Sequence, residues 1–237
     1  MSLILGIETS TKMCSVAISN NEELLSIREQ SGDYSHAELL NKFINEVCHE
    51  ANIKLYDLDA VAVSKGPGSY TGLRIGVSAA KGLCYALDKP FIAVDTLKAM
   101  AMNLMMNNQQ SIAFGEGWND ALFCPMIDAR RMEVYTAVYN GALHEVESVS
   151  AKIIDEQSFQ DLLKNNNIIV FGDGAEKCKQ ILAFNNNAVF INNIEPSAQY
   201  INRLALSKLH QSDFENVAYF EPYYLKDFLA TTPKNRV

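Results

Sequence analysis

A pattern in the first part of the chain returns 120 positions later, and this restricts the fold to architectures built from two copies of one unit. Residues 3–8 form an apolar run that ends on an acid, Glu8. A polar turn (Thr9-Ser10-Thr11-Lys12) leads into a second apolar run over 14–19, Asn20-Asn21 breaks it, and 24–28 reads as a third strand. From residue 121 the same plan recurs: an apolar run over 121–127 that ends at Asp128, a turn through Ala129-Arg130-Arg131, a strand over 133–139, a break at Asn140-Gly141, and a strand over 143–149. Glu8 and Asp128 stand 120 positions apart, and so do Asn20 and Asn140.

The repetition extends downstream. In the first half, Ser35-His36-Ala37-Glu38 has the capping-box pattern that opens a helix, and Leu39, Leu40, Phe43, Ile44 and Val47 supply its apolar stripe. A buried strand over 60–63, the turn Gly66-Pro67-Gly68, a long helix to about Leu87 and a strand over 91–94 follow. The second half gives a helix over 156–163, a strand over 168–171, the turn Gly172-Asp173-Gly174, a helix over 175–183 and a strand over 188–191. Both halves therefore read β-β-β-α-β-α-β, the duplicated α/β plan of two-lobed actin-like (ribonuclease H-like) folds. The expected lobes are 1–108 and 109–196. A polar, glycine-containing connection over 107–119 joins them, and 197–237 forms a final helix and tail that packs back on the first lobe.

Composition narrows the function classes. Hydrophobic residues make up 48% and charged residues 20%, an ordinary globular balance. A net charge of −8 argues against a free-standing nucleic-acid binder, which needs a basic surface for phosphates. The five cysteines are scattered without CxxC spacing and read as buried free thiols, which points to a reducing, cytoplasmic setting. No apolar stretch approaches the ~20 residues of a membrane-spanning helix. The four histidines, at 36, 49, 144 and 210, include no pair at helical ligand spacing, so no metal site is expected.

Three segments carry candidate chemistry. Glu8, Thr9, Ser10 and Thr11 offer an acid and three hydroxyls at the position where this fold cradles nucleotide phosphates, and Asp128 is their counterpart in the second half. The segment 65–74 places a glycine-rich turn before a helix, either as an anion cradle or as a tight turn with Ser69 as the helix cap. The helix itself carries Gly72, Gly76 and Gly82, each costing about 1 kcal/mol against alanine. Gly72, Gly76, Ala79 and Ala80 lie on one face, which suits either packing on the chain's own sheet or close approach of a partner's helix.

Together these segments resemble the TsaB (YeaZ) family of tRNA threonylcarbamoyladenosine biosynthesis proteins. The resemblance rests on Ile4-Leu5-Gly6-Ile7-Glu8-Thr9-Ser10-Thr11, His36-Ala37-Glu38-Leu39-Leu40, the block 66–76, Ala80-Lys81-Gly82-Leu83, Asp128-Ala129-Arg130-Arg131-Met132-Glu133-Val134-Tyr135, and Pro222, Tyr224 and Leu225. The family often has Asp at Glu8, Phe at Tyr70 and Arg at Lys226. What the resemblance implies is a non-catalytic adaptor for the paralogous transferase TsaD, joined by the ATPase TsaE, with tRNA engaged only indirectly. It implies pairing through the first two helices, by His36, Leu39, Leu40, Phe43, Val47, Thr71, Arg74, Ile75, Gly76, Ala79 and Leu83. The self-complementary helix face points to homodimers of the isolated chain; no cofactor is firmly expected, with ATP or ADP at a subunit junction as the one candidate. TsaD carries a His-x-x-x-His metal pair where this chain reads Val94-Asp95-Thr96-Leu97-Lys98-Ala99-Met100. The competing expectation is a stand-alone kinase or ATPase using Glu8, Thr9, Ser10, Thr11 and Asp128.

Overall fold

The computed structural model describes residues 2–32, 36–107 and 121–226. Ser35 of the capping box, the connection beyond Asn107 and the end of the tail lie outside them. Two five-stranded sheets carry the chain. The first comprises β1 (Leu3–Glu8), β2 (Met13–Asn20), β3 (Glu23–Ser31), β4 (Ala60–Gly66) and β5 (Phe91–Asp95), in spatial order β3-β2-β1-β4-β5. The second comprises β6 (Leu122–Asp128), β7 (Glu133–Tyr139), β8 (Glu145–Ile153), β9 (Ile168–Phe171) and β10 (Ala188–Ile191), in order β10-β9-β6-β7-β8. The equivalent strands occupy equivalent places, so the duplication seen in the sequence is one of topology. In each sheet a meander of antiparallel strands is extended by two parallel ones, which need helical crossovers.

Side chains alternate across each strand, so each sheet has two faces to cover. In the first sheet Leu3, Leu5, Ile7, Val61 and Val63 point one way, toward α1 (His36–Glu50) and α2 (Tyr70–Leu87). Ile4, Ala60, Ala62, Ile92 and Val94 point the other way, toward α6 (Ala198–Gln211). In the second sheet Leu122, Cys124, Met126, Ile168 and Val170 face α4 (Gln160–Leu163) and α5 (Ala175–Leu182), while Phe123, Ile127, Ile169 and Phe171 face α3 (Thr96–Asn107). β1 and β4, covered on both faces, are apolar almost throughout.

Local signals set the ends of the helices. The Ser69 hydroxyl accepts from Gly72 N at the start of α2, and Asp88 closes that helix with a left-handed φ of 51°. Ser197 and Ser212 play the same two roles for α6. The helix expected over 156–163 is shorter than its pattern, because Asp155 and Ser158 close a turn on each other and Phe159 adopts a φ of 62°. The helix α3 was not among the expected elements. Leu97, Ala99, Met100, Ala101 and Leu104 leave it no polar stripe, since it is wedged between the second sheet and α6. No helix among the described residues is long and apolar enough to cross a membrane.

Candidate functional site

The glycine-rich block exists to let other parts of the chain come close. A methyl group at Gly68 would overlap Ser10 O, one at Gly72 would overlap Thr9 O, and one at Gly76 would overlap Thr9 Oγ1. At Gly66, whose φ is +112°, it would sit 2.9 Å from Tyr223 O. The first hairpin turn is thus seated on the start of α2. Ser69 N donates to Ser10 O (2.6 Å), and the Thr9 hydroxyl donates to Gly72 O (2.8 Å). Of the two readings of this block, packing on the chain's own elements holds for Gly72 and Gly76.

Glu8, Thr9 and Ser10 are completely buried as a result. Glu8 Oε1 accepts from Ser10 N at 2.6 Å. Among the described residues its Oε2 has no partner at hydrogen-bonding geometry, nor do the buried hydroxyls of Ser10 and Ser64 beside it. Burial pushes the carboxyl up to about 7, with the neighbouring Ser10, Ser64 and Thr9 groups holding it from rising further. Asp128, the second-lobe counterpart, is exposed. Partial burial alone would raise its pKa, but the Lys177 ammonium and the Arg130 backbone N–H hold it below the ordinary carboxylate range. Asp128 N donates to Asp173 Oδ1 (2.9 Å), and burial raises the Asp173 carboxyl.

Between the lobes lies a small cavity of about 60 Å³, touched by Thr11, Lys12, Asp173 and Glu195. Of the five residues expected to hold a nucleotide, Thr11 alone lines it. Glu8, Thr9 and Ser10 are enclosed beneath the start of α2, and Asp128 is paired with Lys177. These residues do not fit a phosphate in this arrangement, because a phosphate would have to displace the contacts that seat the hairpin. Among the described residues no group of three or more His, Cys, Asp or Glu side chains is placed to hold a metal ion.

The residues expected to meet a partner divide into two sets. Leu40, Phe43 and Val47 are buried in the core beneath α1, and Gly76 lies under Thr9, so these four face the chain's own interior and not a partner. A bulky residue at Gly76 would strike Thr9 and unseat the hairpin, which disqualifies it as a probe of pairing. His36 is also turned inward, with Nε2–H donating to Thr11 O at 2.8 Å. On the surface remain Thr71 and Arg74, exposed, and the half-buried Leu39, Ile75, Ala79 and Leu83. Tyr70, Thr71, Arg74, Ile75 and Ser78 line an open groove of about 540 Å³ along α2.

Part of this face comes from the C-terminal segment, which periodicity could not reveal because it is neither helix nor strand. Tyr223 N donates to Lys65 O (2.7 Å), and the Lys81 ammonium donates to Ala218 O and Phe220 O. The Tyr224 ring lies 4.8 Å from that of Tyr70, and its hydroxyl accepts from Arg74 Nε. The Arg74 guanidinium sits 4.3 Å above the Tyr70 ring, a cation–π contact. The segment ends with Lys226 paired to Glu133 of the second lobe.

Two like units, each a mixed sheet with helices, facing each other across a cleft, define the actin-like, ribonuclease H-like class. Comparison with known proteins adds the family. The model of the family described as TsaD, tRNA N6-adenosine threonylcarbamoyltransferase, matches residues 30–233. The tRNA threonylcarbamoyladenosine biosynthesis protein TsaB of Escherichia coli is 28% identical over 238 residues, covering 96% of both chains. The TsaB protein of Bacillus subtilis is 34% identical over 146 residues, 60% of this chain and 58% of that one. A Pseudomonas aeruginosa crystal structure described as similar to peptidase YeaZ superposes with a TM-score of 0.80 at 24% identity, covering 95% of this chain and 100% of that one, which bears on the fold alone. The chain belongs to the TsaD family and, within it, to the TsaB (YeaZ) proteins.

Proposed function

We propose that this chain serves the synthesis of threonylcarbamoyladenosine on tRNA as an adaptor, supporting a TsaD transferase and not carrying out the transfer itself. The ATPase TsaE is a further partner in this reading, and a second copy of the chain takes the transferase's place when it is absent. One observation carries the proposal. Glu8, Thr9 and Ser10 of the first hairpin are sealed inside the chain, whereas the outer face of α2 presents Ile75, Ala79 and Leu83 beside an open groove. Half-buried aliphatic side chains on a helix flanked by Arg74 and Tyr70 have the apolar-centre, polar-rim character of a protein interface. A nucleotide, where one is used, belongs at a junction between subunits, since Glu8, Thr9 and Ser10 of the hairpin are buried under α2.

The test is light scattering behind size exclusion on this chain mixed with its cognate TsaD. A peak at the summed mass is expected. The Ile75→Glu, Ala79→Arg double variant should separate the two proteins while its melting temperature stays within a few degrees of the parent. Persistence of the joint peak in that variant would place the interface elsewhere, and two peaks with the parent chain would remove the adaptor reading.

A further inference from the structure

The tip of the second-lobe hairpin, between β6 and β7, combines three features that its first-lobe counterpart lacks. First, two consecutive non-glycine residues there, Arg130 (φ 70°) and Arg131 (φ 53°), adopt left-handed backbone conformations. Glycine or asparagine would occupy those positions at lower energetic cost, and retained strain of this kind is a pointer to function. Second, both side chains are exposed, and neither makes a hydrogen bond or ion pair among the described residues. Third, the carboxylates on either side are already taken. Asp128 is paired with Lys177 and feels the Arg130 charge only through space, and Glu133 is paired with Lys226, so among the described residues neither guanidinium has an ion pair of its own.

The duplication supplies an internal control. At the corresponding place in the first lobe the chain has Ser10 and Thr11, neither with a left-handed φ, and the turn is packed beneath α2. In the second lobe the glycine turn packs lower, with Gly172 against Met126 O and Gly174 against the Ile127–Asp128 peptide, and residues 130–132 are left uncovered. Two adjacent guanidinium forks with no hydrogen bond among the described residues suit acceptors that carry several oxygens each and repeat at short intervals, as the phosphates of a nucleic-acid backbone do.

We propose that the Arg130–Arg131 tip is an RNA-contacting element whose two guanidinium groups bind backbone phosphates of the tRNA. The choice of RNA as the phosphate source rests on the tRNA-modification reading above. The overall acidity of the chain makes this a local contact that adds to binding held mainly by another subunit.

Fluorescence anisotropy with a labelled, unmodified tRNA transcript tests the proposal between 50 and 300 mM salt, on the chain alone and on the chain with its transferase. Two variants are compared with the parent: R130N/R131G, which relieves the backbone and removes both charges, and R130K/R131K, which keeps the charges. For R130N/R131G we expect at least about tenfold weaker binding at low salt and a salt dependence shallower by about one unit of slope per arginine. Its melting temperature should be equal to or above that of the parent. The lysine pair should retain most of the slope, because the salt dependence counts the phosphate charges neutralised and a lysine neutralises one as an arginine does. Unchanged affinity and slope in R130N/R131G overturn the proposal, as does the absence of salt-dependent RNA binding by the parent in both arms. Loss of co-elution with the transferase in R130N/R131G, with RNA binding intact, would assign the arginines to a protein carboxylate and overturn it equally. A parent chain that binds RNA but forms no complex would overturn the docking reading and leave the tip as an RNA contact.

Discussion

Replacing Glu8 with glutamine should make the protein more stable, and increasingly so as the pH rises. The carboxyl is fully buried, and burial lifts its pKa from the ordinary 4.5 to about 7. The folded chain therefore holds this proton more tightly than the unfolded chain does, so the stability contributed by the proton is complete below pH 4.5 and is lost as the pH climbs through 7. A shift of this size corresponds to about 3 kcal/mol, the penalty that ionised Glu8 imposes on the fold at pH 8. Glutamine keeps the shape, accepts from Ser10 N as Glu8 Oε1 does, and offers its amide hydrogens to the unpartnered hydroxyls of Ser10 and Ser64. For a chain of this length 1 kcal/mol moves the melting temperature by roughly 2–4 °C. Thermal melts followed by circular dichroism should thus find the variant within about 3 °C of the parent at pH 5 and about 6–12 °C above it at pH 8. Other buried acids such as Asp95 titrate in both proteins, so the difference between the two curves isolates Glu8. A difference that does not change between pH 5 and 8 would mean that Glu8 is ionised throughout and that the desolvation argument is wrong.

Two further expectations follow from packing. Gly72→Ala should cost about 2–4 kcal/mol in urea titrations, because its methyl group meets the rigid backbone at Thr9 O. Gly82→Ala, on the same helix but with nothing within 4 Å, should gain about 0.5–1 kcal/mol from helix propensity alone. Equal responses at the two positions would refute the claim that the first glycine is there for clearance. Asn202→Ala should cost about 2–3 kcal/mol by the same titration, since the buried amide donates to Ile4 O, Ala17 O and Ser19 Oγ, and two strand carbonyls would lose this donor. A loss below about 1 kcal/mol would mean that water replaces it.

The duplication was legible because the features that mark it are local. An acid ending a strand, a hairpin break and a glycine turn each leave a trace within a few residues, and Glu8, Asn20 and Gly66 have counterparts at Asp128, Asn140 and Gly172. Strands buried on both faces, such as β4 and β9, were equally plain as short apolar runs. The helix α3 was not, because an element packed between two layers loses most of the polar stripe by which a helix is recognised. The candidate site was legible in composition but not in direction. Helical period places Gly72 and Gly76 on one face of α2 without saying that Thr9 occupies it, and it cannot separate buried Leu40 and Phe43 from half-buried Leu39. The C-terminal segment against Arg74 and Lys81 is a long-range contact of irregular chain, and no pattern within 213–226 encodes its destination. The left-handed backbone at Arg130 and Arg131 runs against residue preference, so the sequence argues against the conformation that the structure has.

The position of α6 bears on how the chain can be made. One face of the first sheet is finished by helices drawn from residues 36–87, but the other, with Ile4, Ala62, Ile92 and Val94, waits for Tyr200, Ile201 and Ala205. The clearance at Gly66 likewise waits for Tyr223. Synthesis delivers the N-terminal lobe first, at roughly 5–20 residues per second, and a lobe with one sheet face covered only in part, by Ala99 and Met102 of α3, has no complete core of its own. The second lobe must be translated in full before the first can close, so the order in which the lobes emerge from the ribosome is not the order in which they reach their final stability. A nascent chain stalled near residue 190 would therefore carry a partly uncovered apolar sheet, the kind of surface that chaperones hold.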